Sequence, residues 1–188
     1  MKLRIALVAL ALVLVGCSRE TATESAGAAP ELDTPAPESE ASRLFAPSNE
    51  AARAATGELT VSTSLRLPDA GQAGADAQEV LTLRGANGAA VEAQITSVVS
   101  PATQVQGQTL RALLDLPVEE PQVLVYRVTN ETRSQAGQGL CGAGASAFVV
   151  VWEPSAPGEA VMKILALTGG APGAGDARAC AMLDYRRS

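Results

Sequence analysis

From Gly57 onward apolar residues recur on every second position in short runs, each stopped by glycine, proline, asparagine or aspartate. Side chains of a strand point alternately to opposite faces, so this period of two commits the chain to sheet rather than helix. Leu59, Val61, Thr63, Leu65 and Leu67 alternate with Thr60, Ser62, Ser64 and Arg66, the pattern of a half-buried strand that ends at Pro68 and the small polar stretch Asp69–Ala77. Val80–Arg84 and Val91–Val99 read as two strands joined through Asn87-Gly88, a dipeptide that favours hairpin turns. Pro101 and Gly107 bracket a loop; Thr109–Leu116 then places Leu110, Ala112, Leu114 and Leu116 on one strand face. Pro117 and Pro121 enclose Val118-Glu119-Glu120 as a turn. Gln122–Thr129 is apolar at nearly every position, which suits a central strand covered on both faces, and Ala147–Glu153, Ala160–Leu167 and Cys180–Arg186 follow. About eight short strands with no long helix predict a mainly β domain, an antiparallel sandwich or a small barrel. A mixed sheet with one helix is the alternative, because Val161–Leu167 fits either period. Ser48 is placed to cap a short helix through Asn49–Ala55.

The residues ahead of this domain have a different composition. Lys2 and Arg4 precede an apolar run from Ile5 to Val15, which is shorter than the roughly 20 residues a membrane-spanning helix needs and has the length of a signal-peptide core. The run closes on Leu14-Val15-Gly16-Cys17. This segment resembles the lipobox of bacterial lipoproteins: branched apolar residues, a small residue, then the cysteine. The resemblance implies cleavage after residue 16, a diacylglyceryl group on the Cys17 thiol, and usually a further acyl chain on the new amine. Ser18 stands where the familiar sorting rule would place an inner-membrane aspartate, so the resemblance implies the outer membrane, with the domain facing the periplasm. Each buried methylene contributes about 0.8 kcal/mol, so two or three chains anchor far more firmly than one. From Ser18 to Pro47 the chain is rich in Ala, Pro, Ser, Thr and Glu, with almost no large apolar side chain until Leu44 and Phe45. Such a segment cannot bury enough apolar surface to offset its ordering entropy and is expected to be a disordered acidic tether with a reach of roughly 30 Å. The expected organisation is therefore signal peptide 1–16, lipidated cysteine and tether 17–47, and β-rich domain 48–188.

Export bears on the remaining cysteines. With Cys17 committed to lipid, Cys141 and Cys180 form an even pair in an oxidising compartment, and a disulfide is their expected state. A redox role is disfavoured because the two are far apart in sequence and lack the C-x-x-C arrangement.

Charge and composition narrow the function. The chain carries −6, and removal of the leader, with two positive charges and no acid, leaves −8. An acidic surface repels phosphate backbones, which argues against nucleic-acid binding. There is no histidine, hence no imidazole base, zinc ligand or triad member. Lys163 is the single lysine after the leader and lies in a predicted strand, on its solvent side, with no S-x-x-K spacing leading into it. Gly137-Gln138-Gly139-Leu140-Cys141-Gly142 matches G-x-G-x-x-G, but loop precedes it and the strand-like Phe148–Trp152 follows, where a dinucleotide site needs a strand and then a helix. A glycine-rich loop around a disulfide accounts for it better. The acids available for catalysis are Glu119, Glu120, Glu153 and Glu159; none falls in a metal-binding pattern. Phe148, Val150 and Trp152 share one strand face, and Tyr126 sits between Leu124 and Val128, so these aromatics read as core rather than as sugar-binding platforms. Asn130-Glu131-Thr132 matches the eukaryotic glycosylation sequon, which has no such meaning in a bacterial lipoprotein. The expectation is a non-catalytic envelope lipoprotein without cofactor or metal, acting as a binding or structural component toward an envelope protein or peptidoglycan. A carboxylate-based envelope hydrolase is the alternative. A lipid-anchored β-barrel with one disulfide is also similar in architecture to the membrane-bound inhibitors of lysozyme, a likeness to which no motif contributes.

Overall fold

In the computed structural model, residues 42–67, 76–154 and 160–188 are described. Cys17, the leader, the tether up to residue 41, most of the Asp69–Ala77 stretch and Glu159 lie outside the described residues. Among the described residues, ten strands and two short helices occur in the order β1 (Arg43–Pro47), α1 (Glu50–Ala55), β2 (Leu59–Arg66), β3 (Gln78–Gly85), β4 (Ala90–Val99), β5 (Gln104–Val105), β6 (Gln108–Thr109), α2 (Leu110–Leu114), β7 (Val123–Thr132), β8 (Phe148–Trp152), β9 (Val161–Thr168) and β10 (Arg178–Arg187).

Eight of the strands close into an antiparallel barrel, ordered β1-β10-β9-β8-β7-β4-β3-β2. Neighbours in the wall are neighbours in sequence apart from the β5–β6–α2 insertion, so the barrel is an up-and-down meander without free edges. The expected mainly β fold is thus found, as the barrel rather than the sandwich. Register shifts leave Thr96 on β4, Thr129 on β7 and Cys180 on β10 without a partner in the pairing, and these extra residues bend the wall.

The number of barrel strands agrees with the expected eight, but one member is exchanged. Arg43–Pro47, assigned to the tether, is β1 and closes the barrel, pairing Phe45 with Leu59 on β2 and with Arg187 on β10. Phe45, 1% exposed, fills the interior, so the folded domain starts before residue 48. Conversely Thr109–Leu116 is not a barrel strand. Thr109 Oγ1 accepts from Ala112 N at 3.2 Å, starting α2, and Asp115 ends it in a left-handed conformation at φ 46°. Leu110 and Leu114 are both buried. A spacing of four puts two residues on one face of a strand and of a helix alike, which is why the pattern misled. Val161–Leu167 resolves the other way: it is strand, paired on both sides by β8 and β10. The helix near residue 50 is present, capped by Asn49 rather than Ser48: Asn49 Oδ1 accepts from Ala52 N at 2.8 Å. The Asn87-Gly88 hairpin also forms, with Gly88 at φ 89° as the residue that lets the three-residue turn close onto Ala89.

Two apolar layers hold the domain together. The inner one fills the barrel with Phe45, Leu59, Val61, Leu83, Val149, Ile164 and Leu183 among others. The outer one lies between α2 and the outside of β7, β8 and β9, where Leu110 and Leu114 pack with Val123, Val125, Val150, Trp152, Leu165 and Leu167. Double coverage explains the near-continuous apolar runs of those three strands, whereas the outward positions of β2 and β3 carry Thr60, Ser62, Thr82 and Arg84.

Candidate functional site

The two ends of the barrel are built differently. One is closed by α1 and by the segment between β7 and β8. Ala52 and Ala55 are small enough for α1 to lie against the inner core, and Thr56 Oγ1 and the Tyr185 hydroxyl sit 2.8 Å apart beneath it. Burial is the main reason the Tyr185 phenol is pushed up to about 12, against the lowering effect of the Thr56 hydrogen bond. Asn87 Nδ2 donates to Ala55 O at 2.9 Å, joining the hairpin to the end of α1. Leu140 completes the closure from the glycine-rich segment. Glu131 organises that segment: its Oε1 accepts from Leu140 N at 2.9 Å and Ser146 Oγ at 2.9 Å, and its Oε2 accepts from Ser146 N at 2.7 Å. A Cβ on Gly139 would lie 2.4 Å from Glu131 Oε1, so that close approach requires glycine. The crevice between Thr56, Leu83, Leu140 and Glu131 has no room for a water molecule.

Cys141 and Cys180 are joined in a disulfide, with their Cα atoms 5.2 Å apart, linking this segment to β10 across 39 residues of chain. Gly137, Gly139 and Gly142 therefore serve turns and a close contact around a disulfide. No helix follows them to hold a phosphate, and the segment leads into β8. Asn130 is exposed at the end of β7.

Among the described residues, the opposite end opens into a cleft of about 300 Å³. Its polar lining includes Arg43 at the start of β1, Thr63 on β2, Glu79 on β3, Tyr126 on β7 and Glu153 just after β8. Each occupies the inward side of the alternation that places Phe45, Leu81, Leu124 and Val151 in or against the inner core. Leu81, Leu124, Val151, Val123 and Trp152 supply apolar walls, while Glu120 and Gln122 lie at the edge, below the Pro117 turn. Arg111 braces that turn by donating to Pro117 O and, at 3.0 Å, to Glu120 O.

Two polar pairs span the mouth. Arg43 Nη1 forms an ion pair and hydrogen bond with Glu153 Oε2, and its guanidinium lies 5.6 Å from the centroid of the Phe45 ring. Tyr126 donates its hydroxyl to Glu79 Oε1 at 2.7 Å. Burial, the hydrogen bond to Glu79, and the negative charges of Glu79 and Glu153 raise the Tyr126 phenol well above the usual tyrosine range, outweighing the lowering effect of Arg43. The phenol is thus a proton-bearing donor at neutral pH, facing carboxylates. Leu65 pairs with Glu79 in the β2–β3 register yet is 68% exposed, extending the inward apolar face beyond the cleft.

Of the acids singled out from sequence, Glu153 is in the mouth, Glu120 is at its edge, and Glu119 is exposed in the turn. Lys163 is not free on the solvent side. It lies on the outer face of β9 and donates to Asp115 O at 3.1 Å, where a cation meets the carbonyl end of α2. Phe148, Val150 and Trp152 belong to the outer core and Tyr126 to the inner one, as their strand faces implied, although Trp152 and Tyr126 also line the cleft. The Trp152 indole Nε1–H is buried and has no hydrogen-bond partner among the described residues. Arg43 and Glu79 were missed. The signal for both was present: each stands two positions from a core residue, Phe45 or Leu81, on the same strand face. A charged residue on an apolar face marks either an error of register or a site. Among the described residues no group of three or more Cys, Asp or Glu side chains is arranged to hold a metal ion. Comparison with protein-family models, with curated proteins and with solved structures finds no match to this chain.

Proposed function

We propose that this chain is an exported lipoprotein, acylated at Cys17 and held in the outer membrane facing the periplasm, whose barrel acts by binding a ligand at its mouth. The N-terminal part of this reading is supported by the basic, apolar and Leu14–Cys17 regions of the leader. The binding part is carried by one observation: one end of the barrel is packed shut while the other opens into a cleft with apolar walls and converging polar groups. Ligand sites occur preferentially in the mouths of barrels, lined in this way. The anchor is tested by mass spectrometry of the mature N-terminus, which should show an acylated cysteine; an unmodified N-terminus elsewhere, with the protein soluble in the periplasm, overturns it. Binding is tested by native mass spectrometry of protein isolated from the envelope. A bound mass should be present in the wild type and lost in Leu124→Arg, whose side chain would fill the cleft. Identical spectra for the two folded proteins would remove the mouth as the binding site.

A carboxylate-based hydrolase is the second reading, favoured by the convergence of Glu79 and Glu153 on one cleft. Two features weigh toward binding. Glu153 is held in an ion pair by Arg43, and Glu79 already accepts the Tyr126 hydroxyl. Glu79→Gln and Glu153→Gln distinguish the two: turnover of a glycan, peptide or ester substrate abolished by either change, with folding intact, would establish catalysis.

A further inference from the structure

We propose that the mouth of the barrel selects an amphiphilic cation, a protonated amine or guanidinium on an apolar stem, with the charged head at Glu79 and Glu153 and the stem along Leu81, Leu124 and Val151. This rests on the reading of the mouth as a binding site and adds the chemical class of its ligand. The charge balance of the lining is the first argument. Glu79, Glu120 and Glu153 face a single cation, Arg43, which is itself engaged by Glu153. An anionic head group would meet surplus carboxylate charge and find no unpaired cation among the lining residues. A cationic one supplies the missing counter-charge within a partly desolvated cleft, where such an interaction is stronger than in water.

The disposition of hydrogen-bonding groups points the same way. Tyr126 takes up Glu79 Oε1 and, among the described residues, leaves Oε2 able to accept from a ligand N–H. An ionised carboxylate accepts hydrogen bonds and donates none, so the complementary head is a donor, which an ammonium or guanidinium is. The walls argue for a stem. Leu81, Val123, Leu124, Val151 and Trp152 line a cleft whose volume, about 300 Å³, is at the lower end of ligand sites. Beyond it Leu65, on the Glu79 face, and Val98, paired with Leu124, leave apolar surface uncovered along the way out. A short polar cation would use the acids and waste the walls; a neutral lipid would use the walls and leave the acids desolvated.

The chain contains one tryptophan, Trp152, and it lines the cleft, so its fluorescence reports occupancy without a label. The test uses the whole mature chain with Cys17→Ser, to avoid detergent, titrated at neutral pH with octylamine, octan-1-ol and octanoate, which share one stem and differ in the charge of the head. Octylamine should bind at least about tenfold more tightly than either of the others. Glu79→Gln keeps the acceptor for Tyr126 while removing the charge; it should weaken octylamine about tenfold and leave octanol unchanged. Leu124→Arg should abolish all three responses, which separates the cleft from adsorption elsewhere. Octanoate or octanol binding as tightly as octylamine would overturn the charge preference while leaving the mouth as a binding site. Absence of any response, in protein whose envelope-derived adduct is present and sensitive to Leu124→Arg, would overturn the ligand class and spare the site. Absence of both would overturn the two readings together.

Discussion

The two ends of this barrel contain the same chemical pieces, a tyrosine and a glutamate on inward-facing elements, used to opposite effect. At the closed end Tyr185 meets a neutral partner, Thr56, and Glu131 accepts from three donors on Leu140 and Ser146. At the mouth Tyr126 meets a carboxylate, Glu79, and among the described residues the acids outnumber their partners. A satisfied carboxylate holds structure in place, because removing it strands the donors it served. A carboxylate with spare acceptor capacity beside an apolar wall contributes little to the fold and is available for a ligand. The difference shows that the role of a half-buried acid follows from how many of its lone pairs the protein itself uses. With the proposed binding role, it places the contacts that hold the fold at one end and the proposed ligand site at the other.

The largest test of this contrast is the disulfide at the closed end. Replacing both Cys141 and Cys180 by serine should lower the unfolding free energy by up to about 4 kcal/mol, from the lost constraint on the unfolded chain, while octylamine affinity at the mouth stays unchanged. An unchanged denaturation midpoint would show that the bridge contributes nothing to this end. Next comes Glu131→Ala, which leaves the Leu140 and Ser146 amides without their acceptor and should cost about 3 kcal/mol in urea unfolding. A loss no larger than that of Glu79→Ala would erase the distinction between the two acids.

Alkaline titration separates the tyrosines more finely. An upward-shifted phenol favours the folded state in its neutral form. The contribution of Tyr185 is therefore fully present below the ordinary tyrosine value of 10.0 and is lost as pH rises through about 12. A shift of this size corresponds to roughly 2–3 kcal/mol. Tyr185→Phe should flatten the fall in stability over that window; an unaltered profile would mean that the Tyr185 phenol is not the group being titrated. The smallest effect belongs to the mouth. Glu79→Gln retains an acceptor for Tyr126 and should change the unfolding free energy by less than about 0.5 kcal/mol. A larger loss would place Glu79 among the residues that hold the fold.

What could be read ahead of the fold follows the range of the forces involved. Alternation is local, so the strand segments from Leu59 through Arg186 were visible, as were the Asn87-Gly88 turn and the inward aspect of Tyr126. The expected pairing of Cys141 with Cys180 rested on the cysteine count and an expected oxidising compartment. The sequence by itself thus determined strand content, turn positions and the one disulfide open to Cys141 and Cys180, each set within a few residues or by composition. The tertiary structure alone decided three further things. It recruited Arg43–Pro47 as the strand between β2 and β10, a pairing of residue 45 with residue 187 that no local pattern encodes. It made Leu110–Leu114 a helix, because the outer face of β7–β9 needed cover and a spacing of four suits either conformation. And it brought Arg43, Glu79, Tyr126 and Glu153 to one opening: their strands are far apart in the chain, and only the closed register of the barrel fixes which strand ends meet.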